Sequence, residues 1–526
     1  MRLLAAASRR SPNETLLGER FAHLAQKRIP PKPDAPMVTI GAPPDIAYYA
    51  ILGEIVSGLR VHRALRTEQI YTQALRPGAS QSPRHFLRAR LDYNFLSERK
   101  WEVLYNLFCD RLGYRTTAWA NPLRALRQWH LAWRLWRGLR DIEQLAALSL
   151  DGILIGDLVI DTYLRLGPTA SIALRDRYLL AVIRQAVKDV DLAFRYFRRS
   201  RPSLYLCIYT TYLSHGVPAR VALACGVRVI SFGNLQEFGT EISAARPQHT
   251  KDSSRYSTNF AALPDRAAKS ARAAQAMKSR LSGQIDPATA YMKKSAYAVT
   301  NSKVPNVRGA TIVFLHDFYD SAHVYSWLLF HDFWEWTCFT IETLQAAGRD
   351  FWIKPHPNQG AESNGEVARL KSRYPNVKFL SSDITNLQLA DAGMACAVTI
   401  YGSVAPEVAF LGVPSISAGD SPHASFDAFC LGRTRDTYAT LLLNPPLIDV
   451  ARLKAQAVAF YHMHNLDLEG DRALLRDRFA AVWAHIAAPG AATCLDKDKV
   501  ANVLAALTDT PAFQHFADIL VSDTLP

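Results

Sequence analysis

The sequence predicts an α/β protein made of two doubly wound domains, each with a parallel sheet, that face a cleft. Short apolar runs of strand length alternate with helical patterns in both halves of the chain, for example near 204–209 and 350–354. Several of these runs end directly in polar or glycine-containing turns, as strand-to-helix loops of parallel sheets do. The length of 526 residues also exceeds what one hydrophobic core usually holds.

We expect four segments along the chain. Residues 1–36 are mostly polar, end in the run Pro30-Pro31-Lys32-Pro33 and are predicted to be an arm or linker. Residues 37–300 are predicted to form a first Rossmann-like domain with helical insertions. Residues 301–490 are predicted to form a second Rossmann-like domain, and 491–526 a helical tail.

Charge and cysteine content narrow the class of protein. The formal net charge is +14, and the sequence has no recognisable helix-turn-helix, zinc-finger or RNA-binding signature. An anionic membrane surface or an anionic small substrate is therefore a better partner than nucleic acid. The seven cysteines are widely separated and lack metal-binding spacing, which is typical of reduced thiols in the cytoplasm. No signal-peptide core or membrane-spanning run is found, so we expect a cytoplasmic protein, either soluble or peripheral at the inner membrane.

The most informative motif follows the predicted strand that ends at Lys354, which runs straight into Pro355-His356-Pro357-Asn358. The two prolines fix the backbone around His356 and remove competing N–H donors. This favours an imidazole held at a strand end to bind a phosphate, although a strand-terminating turn with an incidental histidine has the same pattern. Lys354, His356 and Asn358 are predicted nucleotide-binding residues.

A second strand end, about 45 residues further on, carries Tyr401-Gly402-Ser403-Val404 and opens a helix. A helix N-terminus offers free N–H groups and a positive dipole end, which suit a phosphate. Gly402 allows close approach of the backbone, and Ser403 either caps the helix or bonds the phosphate. Glu407, one turn into the helix, is predicted to accept hydrogen bonds from ribose hydroxyls, the alternative being a solvated helix face.

A polar segment follows the first predicted strand of the second domain. Its candidate substrate-contacting residues are His316, Asp317, Tyr319, Asp320 and His323. Two histidines and two acids in eight residues are also compatible with a metal site. Because no His-x-x-x-His or matching carboxylate spacing accompanies them, we predict no metal and no cofactor.

Acid–base candidates occur in the first domain. Asp157 and Asp161 flank an apolar, strand-like segment, and transfer of a group to a hydroxyl needs a carboxylate as base or nucleophile. The alternative is a helix cap at Asp157 and an ion pair between Asp161 and Arg165. The polar loop after the strand near 204–209 carries His215, which we predict to line the acceptor side of the cleft.

A helical region that is basic and rich in aromatic residues is predicted over residues 85–147. Trp129, Trp133 and Trp136 recur at helical spacing, and arginines are interleaved with them. One interpretation is an interfacial helix that binds anionic lipid. The other is a helix packed into the domain with arginine stems lying over it.

At these residues the chain resembles bacterial capsule and surface-polysaccharide glycosyltransferases of the GT-B fold. The segments that carry the resemblance are Lys354–Pro357, Tyr401–Glu407, Gly419–His423, Gly156–Arg165 and Tyr461–Asn465. The His-Pro element is similar to that of Kdo transferases and of bacterial sialyl- and polysialyltransferases, which use CMP-activated sugars. It also resembles that of CDP-glycerol polymerases.

The resemblance implies a transferase that moves a sugar from a nucleotide-activated donor, CMP-Kdo being favoured, to a capsule or lipopolysaccharide-type glycan. His356 and Ser403 would contact the nucleotide phosphate, Glu407 the ribose, and an aspartate of the first domain the sugar. The second domain would bind the nucleotide sugar and the first the glycan or glycolipid acceptor. Alternatives are a CDP-glycerol-type polyol phosphotransferase, a non-catalytic polysaccharide assembly protein and a nucleotide-sugar epimerase.

Overall fold

The computed structural model describes residues 10–72, 98–115, 121–167, 169–284, 297, 302–357 and 359–468, and parts of 470–480. Its contacts divide the chain into two units. The first comprises the residues described within Met1–Gly167, Ala173–His249 and Leu468–Pro526, the second those within Pro168–Ile172 and Thr250–Asp467. The predicted tail 491–526 lies outside the described residues.

The first unit is an α/β unit. Its helices are α1 (Pro12–Gln26), α2 (Ile46–His62), α3 (Glu98–Tyr105), α4 (Pro122–Gly138), α5 (Ile142–Ala146), α6 (Gly156–Leu166), α7 (Arg177–Ser200) and α8 (Tyr212–Ala224). Its strands are β1 (Met37–Gly41), β2 (Arg66–Tyr71), β3 (Arg111–Arg115), β4 (Ser149–Leu150), β5 (Ile153–Leu154), β6 (Leu204–Cys207), β7 (Arg228–Ser231) and β8 (Thr240–Ile242).

The main sheet of this unit has six strands in the order β3-β2-β1-β6-β7-β8. All neighbouring strands are parallel except β7 and β8, which are antiparallel. Strand β1 lies in the middle, with Val38 opposite Thr67 of β2 on one side and Leu204 of β6 on the other. The strand order reverses between β1 and β6, which is where ligands bind in open α/β sheets.

The predicted N-terminal arm is not an extended linker, because it contains helix α1. Ser11 and Glu14 form a capping box at its start. Leu17 and Phe21 are fully buried, and the ring of Phe21 lies so close to Gly53 of α2 that no side chain fits there. This apolar stripe packs α1 on the first unit. The helix was not predicted, because polar residues surround the stripe in the sequence.

The second unit repeats the α/β pattern. Its helices are α9 (Tyr256–Ala262), α10 (Arg266–Leu281), α11 (Phe333–Ala346), α12 (Ala361–Arg373), α13 (Asn386–Asp391), α14 (Val404–Phe410), α15 (Arg435–Leu443) and α16 (Val450–Tyr461), which continues into a π-helical turn (His462–Leu466). Its strands are β9 (Thr311–Phe314), β10 (Phe351–Lys354), β11 (Lys378–Phe379), β12 (Cys396–Thr399), β13 (Ser415–Ser417) and β14 (Phe429–Leu431).

The sheet of the second unit has the order β11-β10-β9-β12-β13-β14, and every described pair is parallel. Strand β9 is central, with Ile312 opposite Trp352 of β10 and Ala397 of β12. The switch in strand order falls between β9 and β12. The predicted α/β class with two doubly wound Rossmann-type units is confirmed.

Residues 250–284 belong to the contacts of the second unit, whereas the sequence placed the domain boundary at 300. The reason is apolar packing. Ala273 and Met277 of α10 share a core cluster with Ala405 of α14 and with Leu453 and Phe460 of α16. Among the described residues, no helix is both long enough and apolar enough to cross a membrane.

Candidate functional site

The candidate site lies at the carboxyl ends of β9, β10 and β12 in the second unit. The segments that follow these strands begin near His316, His356 and Tyr401. The ring centroids of His316 and His356 lie 5.9 Å apart, and those of His316 and Tyr401 lie 5.0 Å apart. Three strand ends that are distant in sequence therefore place their aromatic side chains together at the switch point of the sheet.

Aromatic neighbours hold this group in place. Phe333, at the start of α11, lies 4.7 Å from the ring of His316 and 5.9 Å from that of Tyr401. Tyr325 packs edge-on against Tyr401, with 5.1 Å between centroids. The hydroxyl of Tyr401 donates to the backbone carbonyl of Ser321 at 2.8 Å, so it ties the segment after β9 to the end of β12.

His356 is half-buried and uncharged at neutral pH. Its pKa is lowered to about 4, mainly by burial and then by the neighbouring charge of His316, against an opposing effect of Asp317. A neutral imidazole can both donate and accept one hydrogen bond. An anion placed beside it would favour the charged form and raise its pKa again.

Lys354 makes its hydrogen bond within the protein, and its predicted role in nucleotide binding stays a prediction. Its side chain is buried at 4 % exposure, and the ammonium group donates to the carbonyl of Ser382 at 3.1 Å. Burial lowers its pKa to about 8, against an opposing effect of Asp383. In this structure, Lys354 therefore holds the chain after β11 beside β10. Asn358, the other residue predicted there, lies outside the described residues.

The turn after β12 requires glycine at position 402 for its own packing, and close approach of a ligand to this backbone stays a prediction. A side chain at Gly402 would meet the hydroxyl oxygen of Thr399 at 2.8 Å, and the Gly402 N–H donates to that oxygen at 3.1 Å. Ser403 is exposed and its hydroxyl makes no capping bond to α14, so it is open to a ligand. Val404 begins the helix and packs at the edge of the core.

Glu407 is buried at 4 % exposure in a polar network. Its carboxylate accepts from the Arg280 guanidinium at 3.1 Å and from the Asn386 side-chain amide at 3.0 Å, and the Tyr297 hydroxyl donates to it as well. The predicted solvated face is wrong, because the carboxylate lies inside the unit. Binding of a ribose by Glu407 stays a prediction and requires this network to open.

The carboxylate of Asp317 accepts hydrogen bonds from groups of the protein. It accepts from the Ser363 hydroxyl at 2.5 Å and from the backbone N–H groups of Tyr319 and Gly360 at 3.1 Å and 3.3 Å. Burial alone would raise the pKa of Asp317, but these hydrogen bonds outweigh it and the pKa is lowered. The carboxylate thus joins the segment after β9 to the start of α12.

The other residues of this segment differ in setting. The hydroxyl of Tyr319 donates to Glu366 of α12 at 3.0 Å. Asp320 is exposed, and its side chain accepts from the Ser321 N–H at 2.9 Å. His323 is half-buried. Of the five residues predicted to contact substrate here, the structure brings only His316 into ring contact with His356.

Two other segments that carry the resemblance each place a histidine in the interior of the second unit. His423 is 1 % exposed, its Nε2 lies 3.2 Å from the Ser417 hydroxyl, and burial lowers its pKa to about 3. His464 of the π-helical turn stacks on Phe460 and bonds the Tyr256 hydroxyl at 3.2 Å. Burial, and then the charge of Lys251, lower its pKa to about 3. Both imidazoles are neutral packing elements.

Asp157 and Asp161 lie on helix α6, so the predicted strand-like segment around them is wrong. The apolar residues between them form the buried face of that helix. Asp157 forms a two-pronged ion pair with Arg220 of α8, with 2.7 Å between Oδ1 and Nη1. Ile155, not Asp157, is the N-cap residue of α6, so the helix cap predicted at Asp157 is not formed, whereas the Asp161–Arg165 pair stays a prediction. Asp161 is 1 % exposed.

His215 belongs to an aromatic cluster at the switch point of the first sheet. The ring of Tyr209, just after β6, lies 6.1 Å from His215 and 5.0 Å from His249, and the hydroxyl of Tyr48 donates to that of Tyr209. Burial lowers the pKa of His215 to about 4. The pKa of His249 is lowered to about 3 by burial and then by the charge of His215.

Sequence reasoning missed Tyr48, Tyr209 and His249 in this cluster. Nδ1 of His249 accepts from the backbone N–H of Thr210 at 3.4 Å, so in the neutral ring Nε2 carries the proton and is a donor. The position of Tyr209 directly after a buried strand was the available signal. For His249, 39 residues further along the chain than Thr210, no local pattern exists. Uncharged donors and aromatic rings suit a polyhydroxyl ligand.

Across the ranges that the structure describes, no group of three or more His, Cys, Asp or Glu side chains is placed to hold a metal ion. The prediction that no metal is required remains a prediction.

Comparison with known proteins gives remote likenesses. No family model and no curated protein matches the chain. Among solved structures, Thermosulfurimonas dismutans KpsC, a beta Kdo 2,4 transferase, is similar at 13% identity and TM-score 0.30 over 49% of this chain and 79% of that chain. The UDP-GlcNAc 2-epimerase from Neisseria meningitidis is similar at 10% identity and TM-score 0.22 over 80% and 93%. Medicago truncatula UGT71G1, complexed with UDP-glucose, is similar at 9% identity and TM-score 0.23 over 90% and 98%. At TM-scores this low, the likenesses support no statement about the site.

Proposed function

We propose that this chain is a glycosyltransferase that takes a sugar from a nucleotide-activated donor and adds it to a growing capsule or lipopolysaccharide-type glycan. The observation that carries the proposal is the convergence of His316, His356 and Tyr401 at the switch point of the second sheet. Ligands of open parallel sheets bind at this place. The Lys354–Pro357 motif, which resembles that of transferases using CMP-activated sugars, favours a CMP-sugar such as CMP-Kdo.

The two histidines act on the leaving nucleotide. In the reaction, the acceptor oxygen bonds to the anomeric carbon, the bond between that carbon and the phosphate oxygen breaks, and negative charge grows on the phosphate. His356 and His316 donate hydrogen bonds to it, and Ser403, which is exposed two residues after Tyr401, adds a hydroxyl. Because burial keeps His356 neutral, it takes up a proton as the phosphate binds, and this offsets the developing charge without a metal.

The acceptor, a glycan or glycolipid, binds the first unit, and its hydroxyl must lose a proton. Of the two aspartates on α6, Asp157 keeps 20% of its side chain exposed, whereas Asp161 is 1 % exposed. Asp157 is therefore the carboxylate that an acceptor hydroxyl can reach, and Arg220 holds it in a fixed orientation. His215 and His249 contribute uncharged contacts to the sugar rings. The reaction takes place at the cytoplasmic face of the inner membrane.

Calorimetric titration of the purified chain with CMP, CDP, UDP and GDP tests the donor side. We expect CMP to bind best, and His356→Ala to weaken its binding at least about tenfold while the chain unfolds at the same temperature as the wild type. His23→Ala is the matched control, because His23 is exposed on α1 and belongs to the first unit.

Transfer from a radiolabelled CMP-sugar to a capsule-type acceptor tests the reaction itself. Transfer that is abolished in His356→Ala and retained in His23→Ala supports the assignment. Binding of none of the four nucleotides, or unchanged turnover in His356→Ala, overturns it. A product that gains phosphorus would instead identify a CDP-glycerol-type phosphotransferase.

A further inference from the structure

Helix α4 presents an apolar, aromatic face away from the unit that carries it. Asn121 caps its first turn, accepting from the Leu123 N–H at 3.0 Å, and Gln128 and Ala132 form its buried side. Gln128 donates to Asp191 of α7 at 2.9 Å, which fixes that side against α7. Large apolar side chains remain exposed on the helix: Leu123 at 69%, Leu126 at 63%, Trp129 at 44% and Trp133 at 39%.

These four side chains share one face. Leu123, Leu126, Trp129 and Trp133 are spaced three or four residues apart, so they stack along the same side of the helix. That side is opposite the buried Gln128 and Ala132. Of the two interpretations that the sequence left open, the packed helix does not describe Trp129 and Trp133, which point outwards; of the three tryptophans, Trp136 is half-buried. A contiguous exposed apolar face of this kind marks an interaction surface.

The charged side chains that the helix itself carries are arginines. The segment from Asn121 to Arg140 holds five arginines and no Asp or Glu. The guanidinium of Arg137 lies over the ring of Trp133 at 5.7 Å from its centroid. Arg124 is the member of the set that faces an acidic neighbour, with 4.0 Å to Asp191.

The helix is held rigidly enough to act as a docking element. The guanidinium of Arg175 donates to the carbonyls of Trp136 at 3.2 Å and Leu139 at 2.8 Å, which satisfies the open end of the helix. Beside it, a groove of about 560 Å³ between α4 and α7 is lined by apolar side chains such as Leu131 and Val187, by Arg124 and Arg127, and by Asp151 and Asp191. Because both signs of charge line this groove, the exposed outer face of α4 is the part of the helix that is free to meet a ligand.

We propose that α4 docks the protein on an anionic lipid bilayer, with Trp129 and Trp133 at the level of the headgroups and the arginines on lipid phosphates. Tryptophan prefers this boundary because one edge of its ring is polar and the rest is apolar. Arginines beside it gain from the negative surface of the bilayer. A protein partner fits less well, because charged residues are depleted at the centre of protein interfaces. The inference complements the proposed function, but lipid binding is measurable without any glycosyl transfer.

Flotation of the full chain with vesicles tests the docking surface. One set of vesicles is phosphatidylcholine alone, and the other is equal parts phosphatidylcholine and phosphatidylglycerol. We expect binding to the anionic set that weakens as salt is raised, because exposed charges are screened. The double variant Trp129→Ala/Trp133→Ala is expected to bind at least about tenfold more weakly, with an unchanged unfolding temperature because both side chains are exposed.

A pair of arginine variants separates this helix from the net charge of the protein. Arg134→Gln/Arg137→Gln changes α4, and Arg266→Gln/Arg272→Gln removes the same charge from exposed positions of α10. We expect the first pair to weaken vesicle binding severalfold and the second to leave it close to wild type. Equal effects of the two pairs, or equal binding to neutral and anionic vesicles, would overturn the proposal.

Self-association is the competing occupant of the same face. Sedimentation of the wild type and of Trp129→Ala/Trp133→Ala decides between them. A wild-type dimer that the variant converts to monomer, together with no vesicle binding, would assign the face to a second copy and overturn the membrane proposal. CMP binding is measured in all of these variants as a control. If it is retained, a loss of vesicle binding or of dimerisation is caused by the change in α4 and not by damage to the proposed nucleotide site.

Discussion

The imidazole of His316, just after β9, lies 5.9 Å from that of His356, just after β10, with an angle of 32° between the rings. Strands β9 and β10 are parallel neighbours, with Phe314 opposite Lys354 at their ends. Side chains that follow the two strands are therefore brought to one edge although 40 residues separate them along the chain. These two adjacent imidazoles are the groups that we propose bind the nucleotide phosphate, and burial strongly lowers the pKa of one of them, His356.

Nucleotide binding is expected to take up a proton at His356. Burial lowers the pKa of His356 to about 4, and a bound phosphate would raise it because the negative charge favours imidazolium. Proton uptake therefore occurs at pH values between the free and the bound pKa, and affinity falls as pH rises through the bound value. Calorimetry at pH 6 in buffers of different ionisation enthalpy measures the uptake. It should disappear in His356→Gln and persist in His23→Ala; equal uptake in both variants would contradict the assignment.

Glu407→Ala is expected to destabilise the second unit by about 3–5 kcal/mol, because it leaves the buried Arg280 guanidinium without its partner. Asp427→Ala is the matched control. Asp427 pairs with Arg452 at the surface, with 69% of its side chain exposed, and should cost no more than about 1 kcal/mol. Denaturant unfolding measures both. A Glu407→Ala variant with wild-type stability and lost nucleotide binding would instead make Glu407 a ligand of the ribose.

Asp157→Asn and Arg220→Met are expected to lower the free energy of unfolding by similar amounts, about 1–3 kcal/mol, because each breaks the same ion pair. Transfer should distinguish them. Asp157→Asn removes the proposed proton acceptor and should lower kcat by about 10²–10⁴, whereas Arg220→Met keeps the carboxylate. Equal kcat in the two variants would reduce Asp157 to a structural residue. Asp161→Asn would then be the next variant to assay.

Asp189→Asn is expected to stabilise the first unit, and more so as pH rises. Asp189 lies buried in α7, where burial raises the pKa of its carboxyl group to about 8, against weaker opposing effects of Lys188 and Gln185. The folded state therefore keeps a proton that the unfolded chain loses above about pH 4, so stability falls from about pH 4 to pH 8. Thermal unfolding across that range should show a gain of at least about 1 kcal/mol at pH 8 and almost none at pH 4. A gain that is independent of pH would contradict the raised pKa.

The sequence predicted more of the donor side than of the acceptor side for a physical reason. His356 and Gly402 directly follow buried strands, and the end of a strand is a local property that the change from apolar to polar residues reveals. Asp157 lies on a short helix whose apolar stretch also reads as a strand, and the two patterns are ambiguous at that length. His249 carries no local signal, because its partner Thr210 is on another segment.

The sequence by itself determined the two parallel-sheet units and the strand-end positions of His316, His356 and Tyr401, since apolar periodicity fixes where strands run and where they stop. Only the tertiary structure decided which candidate side chains are paired with other side chains of the protein. Glu407 meets an arginine 127 residues away, and Asp157 meets one 63 residues away. It also decided that Trp129 and Trp133 face outwards, because helical spacing defines a face but not which face the rest of the unit covers.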